Sequence, residues 1–417
     1  MNTLGVYSEV GRLDLVMVHQ PGWEHRRMVP WNREAWLFDD ILDIESARPE
    51  HKEFVLKIHH HGIRVVYFSD LLKEVCADSE MHAEVVNEVV PDPLPKDMVP
   101  TMIQPTHLIM GYPENFTLGE KLILEPAPNL YFMRDPAFFI HDKLIISHPS
   151  WPIRCREANL LLAVAKRHPL FKGVEIYDGI LHDPEARIEG GDVLIPDEKN
   201  VIVGMSERSN EKGAEHLANY LFANTPVERV IKVFIPKRHE YMHLDTLLTF
   251  VDRQQIVTMP YFWDKPELYA EIARNVEKLV ERHGGVYTGP SPADLAKGTR
   301  MECLLRDGSV SRHDRVLEGL ADLELIVPEI TVTVGGQAHH YRSAEEHILE
   351  ALREQWNDAA NTFALKPGHV MSYARNDKTI RALEDVMVEV TTFSGSELVR
   401  GRGGARCMTM PLSRDPA

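Results

Sequence analysis

The stretch Leu130-Tyr-Phe-Met-Arg-Asp-Pro-Ala-Phe-Phe-Ile140 is an apolar run that ends at a polar turn, His141-Asp142-Lys143. A second apolar run, Leu144-Ile-Ile-Ser-His148, follows at once, and a helix-like segment occupies about 156–167. Two apolar runs joined by a short turn are typical of a β-hairpin. The stretch therefore predicts a hairpin followed by a helix.

The same order of elements returns three times along the chain. The predicted copies cover 186–205 with a helix over 211–223, 241–259 with a helix from about 267, and 361–373 with a helix over 377–384. Asp135 and Glu189 are 54 residues apart, and Glu189 and His243 are again 54 residues apart. Repeats of this size cover one another in radial or stacked architectures. The pattern therefore predicts an α/β fold built of hairpin-plus-helix repeats.

Two regions do not follow the repeat. In 69–125, two helix-like segments precede prolines at positions 91, 93, 95, 100 and 105, which predicts a small helical insertion. Residues 284–345 also fit the repeat poorly and predict a further insertion. We expect one catalytic domain that spans 1–417 and carries the helical insertion within it.

Composition excludes several classes of function. The 46 Lys and Arg against 63 Asp and Glu give a formal net charge of −17, which argues against nucleic acid and anionic membranes as partners. No stretch approaches the ~20 apolar residues that span a bilayer. The first residues lack the features of a signal peptide. The four cysteines lie far apart without a CxxC pair, which predicts reduced thiols and a cytoplasmic protein.

Charged side chains interrupt the predicted strands at matched places. Asp135 lies in the first repeat, Glu189 and Asp192 in the second, and His243 and Asp245 in the third. A charge in an apolar strand is costly unless it is paired or functional. On a strand, residues two apart share a face, so His243 and Asp245 are predicted to point the same way. In a radial arrangement these groups would converge on one centre.

One thiol lies near the end of the chain in Gly401-Arg-Gly-Gly-Ala-Arg-Cys407-Met-Thr-Met-Pro411. Glycines allow backbone to approach a bound group closely, and neighbouring arginines favour the thiolate, which is the nucleophilic form. Taken alone, the segment is better explained as a glycine-rich loop that ends in a small buried cysteine, because most free cysteines are inert core residues. The carboxylates and His243 make Cys407 a candidate nucleophile.

Three explanations of these residues compete. A divalent metal site is the first, but the chain has no HExxH motif, no EF-hand spacing and no histidine pair in these strands. A structural network of buried ion pairs is the second. The third is a cationic planar substrate, because a guanidinium pairs bidentately with carboxylates and its carbon can be attacked by a thiolate. The third explanation accounts for the most residues and needs neither a metal nor a cofactor.

Five blocks resemble the arginine deiminases, which are guanidino-group-modifying enzymes. They are Pro128-Asn-Leu-Tyr-Phe-Met-Arg-Asp-Pro136, Ile188-Glu-Gly-Gly-Asp192, Met242-His-Leu-Asp-Thr246, Arg353-Glu-Gln-Trp-Asn357 and Gly401-Arg-Gly-Gly-Ala-Arg-Cys-Met408. The resemblance covers nearly the whole chain. It implies a pseudo-fivefold α/β propeller of the pentein type and hydrolysis of L-arginine to L-citrulline and ammonia through a covalent thiouronium on cysteine.

The resemblance also implies roles for individual residues. Cys407 would be the nucleophile, and His243 would protonate the departing ammonia and then activate water. Asp135 and Asp245 would grip the guanidinium, and Glu189 would orient His243. The remaining residues would bind or support the substrate, namely Phe132 by packing, Asn129 by a polar contact, Asp192 by support, and Arg154, Arg208 and Arg402 around the α-carboxylate.

Some alternatives stay open at this point. Another guanidino compound could be the substrate, or the amidino group could pass to an amine. A guanidino-binding or structural protein is a non-catalytic alternative, against which the retained Cys407, His243 and aspartates count. The sequence does not give the oligomeric state, and a homo-oligomer is one option.

Overall fold

The computed structural model describes residues 4–90, 103–112 and 124–417, which form both strands and helices. The strands are β1 (Gly5–Val6), β2 (Leu13–Val18), β3 (Arg64–Tyr67), β4 (Ala137–Ile140), β5 (Lys143–Ile146), β6 (Glu175–Tyr177), β7 (Val193–Asp197), β8 (Asn200–Met205), β9 (Arg229–Phe234), β10 (Leu248–Asp252), β11 (Gln255–Thr258), β12 (Arg300–Leu305), β13 (Val310–His313), β14 (Val332–Thr333), β15 (Phe363–Lys366), β16 (His369–Tyr373), β17 (Glu389–Phe393) and β18 (Met410–Arg414). The α-helices are α1 (Ile44–His60), α2 (Phe68–Val75), α3 (Ser79–Val89), α4 (His107–Met110), α5 (Pro152–Arg167), α6 (Glu211–Asn224), α7 (Pro266–Arg282), α8 (Pro292–Ala296), α9 (Val316–Asp322), α10 (Ala344–Gln355) and α11 (Asp377–Asp385). The fold is therefore mixed α/β, as predicted.

The chain divides into two compact units. The first comprises Met1–Tyr7, Leu13–Gly190 and Phe393–Asp415. The second comprises Ser8–Arg12, Gly191–Thr392 and Pro416–Ala417.

The repeat is visible in the first unit as a hairpin, a helix and a third strand. Strands β4 and β5 pair antiparallel, with Phe138 opposite Ile145. Helix α5 follows, and β6 then returns parallel to β5, with Leu144 beside Ile176. A parallel neighbour requires a crossover connection, which the helix provides. Each repeat thus has one strand more than the hairpin that the sequence predicted.

The second unit contains the next three copies. Strand β8 lies between β7, which is antiparallel, and β9, which is parallel. Strand β11 lies in the same way between β10 and β14. The third sheet has the order β15-β16-β17, with α11 between its last two strands. These copies contain the three later hairpins predicted from the sequence.

The two ends of the chain form a further copy that the sequence analysis missed. In the first unit, β18 pairs antiparallel with β2, helix α1 follows β2, and β3 lies parallel to β2. The strands of its hairpin come from opposite ends of the chain, so no short-range turn signal exists for the pair. Pro49 lies inside helix α1, which continues through it without a break. A proline removes only one helical hydrogen bond, and the buried Phe54 and Ile58 anchor the helix.

The two predicted insertions differ in content. Of 69–125, the segments 91–102 and 113–123, with the prolines at 91, 93, 95 and 100, lie outside the described residues, and the remainder contains α3, α4 and most of α2. The second insertion contains β12 and β13, which extend the sheet of β9 antiparallel. Among the described residues, no helix is both long and apolar enough to cross a membrane.

The cores consist of side chains from these strands and helices. In the first unit, Val16, Ile145 and Leu161 are fully or almost fully buried, and in the second unit Ile231 and Val257 belong to one apolar cluster. Burying each such side chain contributes roughly 1.5–3 kcal/mol. The packed strands give the segments that precede them a fixed support.

Candidate active site

Several of the predicted site residues lie just before the first strand of a repeat and not within the strand. Asp135 precedes β4 by two residues, and Asp192 directly precedes β7. His243 and Asp245 lie before β10, at the cap and within a 3₁₀ turn, Leu244–Thr246. Cys407 precedes β18 by three residues. The prediction that the charged residues sit in apolar strands is therefore wrong, because the chain turns once before each strand begins.

His243 and Asp245 belong to a 3₁₀ turn and not to a strand. A shared strand face was expected from their spacing of two. In the 3₁₀ turn, however, the amide of Thr246 donates to the carbonyl of His243 at 3.2 Å. Alternation of side chains applies only to extended backbone, so the argument from a shared face does not hold.

The glycines before Cys407 let the backbone pass close to two aromatic rings. A Cβ on Gly401 would lie 1.8 Å from Tyr131 Oη, and a Cβ on Gly403 would lie 2.2 Å from Phe132 Cε1. Neither glycine has a positive φ, whereas Arg402, which lies between them, has a φ of 58°. Close approach, and not unusual backbone angles, therefore explains these glycines.

Cys407 itself is held by its neighbours within the first unit. Its side chain is 4% exposed, and its carbonyl accepts a hydrogen bond from the Arg134 amide at 3.0 Å. Phe132, predicted to pack on the substrate, lies against Tyr131 with ring centroids 3.9 Å apart. The structure thus brings Phe132, Gly403 and Cys407 together.

The other three cysteines have different surroundings. Burial raises the pKa of the Cys76 thiol to about 11, and it also raises the pKa of Cys155 and of Cys303. A raised pKa favours the neutral thiol, which is a weak nucleophile. All four cysteines are free thiols, as the sequence predicted.

Arg154 is surrounded by carboxylates in the first unit. Its Nη1 donates to Asp135 Oδ2 at 2.7 Å and to Glu189 Oε2 at 3.5 Å, and its Nε donates to Glu157 Oε2 at 3.0 Å. Its Nη2 reaches the Asn129 carbonyl at 3.4 Å. Burial opposes its charge, but Glu157, Asp135 and Glu189 together raise the pKa of Arg154 above its usual value. The cluster joins four predicted site residues with one that was not predicted.

Glu157 is the residue that the sequence analysis missed here. It lies one turn after Arg154 on α5, and its side chain is fully buried. Burial raises the pKa of Glu157 to about 7, although Arg154 lowers it. An Arg and a Glu three apart on a helix can face each other, so the spacing was a usable signal.

Asn129 and Arg402 make further contacts in the first unit. The Asn129 side-chain amide donates to the Trp36 carbonyl at 2.9 Å. The guanidinium of Arg402 lies 3.9 Å from Asp39 Oδ2, and the side chain is buried. Both side chains therefore contact the segment around residues 36–39.

The second unit places Asp192 beside the segment that carries His243. Asp192 Oδ1 accepts the amide of Leu244 at 2.9 Å, and Oδ2 accepts the hydroxyl of Ser206 at 2.7 Å. Burial raises the pKa of Asp192 to about 7, while His243 and the hydroxyls of Ser209 and Ser206 lower it. Asp192 thus supports the backbone next to His243.

Asn361 occupies the corresponding place in a repeat where no site residue was predicted. It precedes β15 by two residues and is buried, and its side-chain amide donates to the Asp245 carbonyl at 3.3 Å. The predicted hairpin 361–373 begins at Asn361, whereas in the structure its first strand begins at Phe363, so the sequence concealed that Asn361 precedes the strand. Arg208, which completes the predicted set, is buried in the turn after β8, where its Nε lies 3.7 Å from Glu207 Oε1.

One family model matches most of this chain. The family model "Arginine deiminase" matches residues 34–94, 98–288 and 338–414 of this chain. Arginine deiminase 1 of Staphylococcus epidermidis is 29% identical, with 98% of each chain covered. Arginine deiminase of Listeria innocua is 31% identical, with 99% of this chain and 98% of the relative covered.

The chain belongs to the arginine deiminase family. The family predicted from the five sequence blocks is thereby confirmed. All eleven predicted site residues fall within the matched ranges, whereas residues 289–337, which contain β12 and β13, fall outside them. The longest stretch outside the matched ranges therefore lies within the second insertion.

A solved structure shows the same fold at lower identity. The amidinotransferase SxtG from Microseira wollei matches with a TM-score of 0.56 at 14% identity, covering all of this chain and 98% of the other. This likeness concerns the fold and does not assign a reaction.

Proposed function

We propose that this protein hydrolyses L-arginine to L-citrulline and ammonia. The observation that carries the proposal is the family match, whose ranges include every residue that the reaction needs. No metal or organic cofactor is required, because the thiol provides the nucleophile and the substrate provides the electrophile.

The first half of the reaction forms a covalent intermediate. Cys407 Sγ, as the thiolate, attacks the guanidinium carbon and forms an S–C bond. His243 donates a proton to one terminal nitrogen, and the C–N bond breaks to release ammonia. The product is a thiouronium on Cys407, and His243 is left as the neutral base.

The second half releases citrulline. His243 removes a proton from water as the water oxygen bonds to the same carbon. The S–C bond then breaks, and Cys407 leaves as the thiolate while the carbon becomes the urea group of citrulline. The remaining proton of the attacking water passes to solvent, where ammonia takes it up, so one arginine cation and one water give one citrulline and one ammonium. General acid–base groups of this kind contribute roughly 10²–10⁴-fold.

The carboxylates hold the substrate guanidinium and the catalytic base. Asp135 and Asp245 bind its nitrogens, because ionised carboxylates accept paired N–H donors. Glu189 orients His243, and Phe132 packs on the substrate's aliphatic chain. Asn129 adds a polar contact at the substrate.

The arginines divide between two tasks. Arg208 and Arg402 bind the α-carboxylate, which the guanidinium fork matches. Arg154 was predicted to join them, but its contacts with Asp135, Glu157 and Glu189 favour a role in holding those carboxylates. We therefore expect substitutions of Arg154 to disturb the position of Asp135 more than the binding of the substrate's α-carboxylate.

The finer architecture belongs to the same proposal. The repeats, including the copy from the two chain ends, support a pseudo-fivefold α/β propeller of the pentein type. A single catalytic domain over 1–417 with the helical insertion 69–125, and a cytoplasmic location, remain predictions. L-arginine is the partner that the reaction implies.

The purified protein with L-arginine tests the proposal. We expect citrulline and ammonia in equal amounts, and an unchanged rate after dialysis against a chelator. Transfer of the amidino group to an added amine, without ammonia, would identify an amidinotransferase instead. Activity that a divalent ion restores after dialysis would revive the metal explanation.

A further inference from the structure

The Asp192 carboxylate joins two separate turns of the second unit. One oxygen receives the amide of Leu244, the residue after His243, at 2.9 Å. The other receives the hydroxyl of Ser206 at 2.7 Å. Both Asp192 and Ser206 are at most 1% exposed, so water does not replace these bonds readily.

The Ser206 hydroxyl in turn closes the second of these turns. It accepts the amides of Arg208 at 2.9 Å and of Ser209 at 3.3 Å. A serine hydroxyl has one donor and two acceptor positions, and all three are used here. Its proton therefore points to Asp192. The position of Arg208 is coupled to the carboxylate through one oxygen atom.

Gly204 leaves the room that this carboxylate needs. A Cβ on Gly204 would lie 2.3 Å from Asp192 Oδ1 and 2.8 Å from the Leu244 Cβ. Gly204 lies inside β8 and has no positive φ, so space and not backbone angle requires a glycine. Because Asp192 is bonded through both oxygens, it cannot move away without breaking one of these bonds.

We propose that Ser206, Asp192 and Gly204 form a positioning device that couples the turn of Arg208 to the backbone of His243. The proposal rests on the proposed function and deepens it. Asp192, assigned above to support of the substrate, acts through its neighbours. The device links recognition of the substrate's carboxylate, by Arg208, to proton transfer, by His243, and it does so within one unit.

The main test compares Ser206→Ala with Ser147→Ala. Ser147 directly follows β5, as Ser206 follows β8, and is equally buried. The Ser147 hydroxyl has no hydrogen-bond partner among the described residues. We expect Ser206→Ala to raise KM for arginine about tenfold, the value of one buried hydrogen bond, with a smaller change in kcat. Ser147→Ala should leave both within about twofold.

Gly204→Ala tests the other arm of the device. The added methyl displaces the Asp192 carboxylate and Leu244. Because Leu244 follows the acid–base residue His243, we expect kcat to fall at least tenfold. A variant with a purely structural role would lower Tm and leave KM and kcat of the folded fraction unchanged. If Gly204→Ala does not fold, Asp192→Asn, which keeps the shape and loses one acceptor, should raise KM and lower kcat together.

The outcomes separate this inference from the proposed function. Wild-type protein that forms no citrulline contradicts the proposed function. An active wild type in which Ser206→Ala behaves like Ser147→Ala overturns the positioning device alone. Equal kcat losses in Ser206→Ala and Gly204→Ala with unchanged KM would also overturn it, because Arg208 would then not be involved.

Discussion

The two units bury charged groups in different ways. In the first unit, Asp135, Glu157 and Glu189 share one arginine, Arg154, so charge is balanced by opposite charge. In the second unit, Asp192 faces His243 and also accepts hydrogen bonds from neutral donors, among them the Leu244 amide and the Ser206 hydroxyl. Neutral N–H and O–H donors orient a carboxylate, whereas a cation shared by several carboxylates compensates their charge. We therefore expect substitutions in the first cluster to change the charge around Asp135, and substitutions in the second to change the position of the His243 backbone.

The largest expected effect concerns the nucleophile of the first unit. Cys407→Ala should lower kcat by several powers of ten, because it removes the atom that attacks the substrate. Arginine should still bind, since the carboxylates remain. Cys303→Ala is the control, because its buried thiol has a raised pKa and no assigned role. Near-normal turnover of Cys407→Ala would exclude the covalent route.

The next effect concerns the second unit. His243→Asn should lose roughly 10²–10⁴-fold in kcat, because it removes the acid–base group while keeping a hydrogen-bonding side chain. Asp245→Asn should also lose turnover, through weaker binding of the guanidinium. Rates measured over a range of arginine concentrations would separate kcat from KM. A mild phenotype of His243→Asn would mean that another residue moves the proton.

Specificity gives a third, intermediate effect. Agmatine is arginine without its carboxylate, so it would leave buried arginines without their substrate partner, which is unfavourable. We expect a much lower kcat/KM for agmatine than for arginine. Arg402→Lys should lower kcat/KM for arginine more than for agmatine, because lysine keeps the charge and loses the fork. Comparable kcat/KM values for both substrates in the wild type would refute this role of the arginines.

The smallest effect concerns stability and follows from Glu157. Its folded-state pKa of about 7 lies above its ordinary value of 4.5, so between these values the folded protein holds more protons than the unfolded chain. Its contribution to stability is therefore largest at low pH and is lost as the pH rises through about 7.

Glu157→Gln should remove this dependence. The Tm of the variant, relative to wild type, should rise between about pH 5 and about pH 8, by an amount worth up to about 3 kcal/mol. Thermal unfolding of both proteins at each pH provides the measurement, and Glu324→Gln, at an exposed position, is the control. A difference in Tm that stays constant with pH would show that Glu157 is ionised throughout.

The sequence predicted the family, the reaction class and four of the hairpins for a physical reason. Apolar runs around a short turn are local, and the blocks around Asp135, His243 and Cys407 are contiguous in sequence. The pair of β18 with β2 could not be read in this way, because its strands lie at opposite ends of the chain. The assumption that buried charges sit in strands also failed, since 3₁₀ turns leave no periodic signal. The sequence did not single out Ser206 or Gly204, because the role of each depends on its distance from the Asp192 carboxylate.

The central claim is the covalent intermediate on Cys407, and mass spectrometry of the acid-quenched enzyme tests it most directly. Wild-type protein, mixed with saturating arginine and quenched with acid during turnover, should contain the thiouronium, because the S–C bond forms before water attacks. We predict that the peptide containing Cys407 gains the mass of arginine less that of ammonia, and that the peptides of Cys76, Cys155 and Cys303 do not. An adduct on another cysteine, or citrulline formed with no adduct at any time after mixing, would contradict the account.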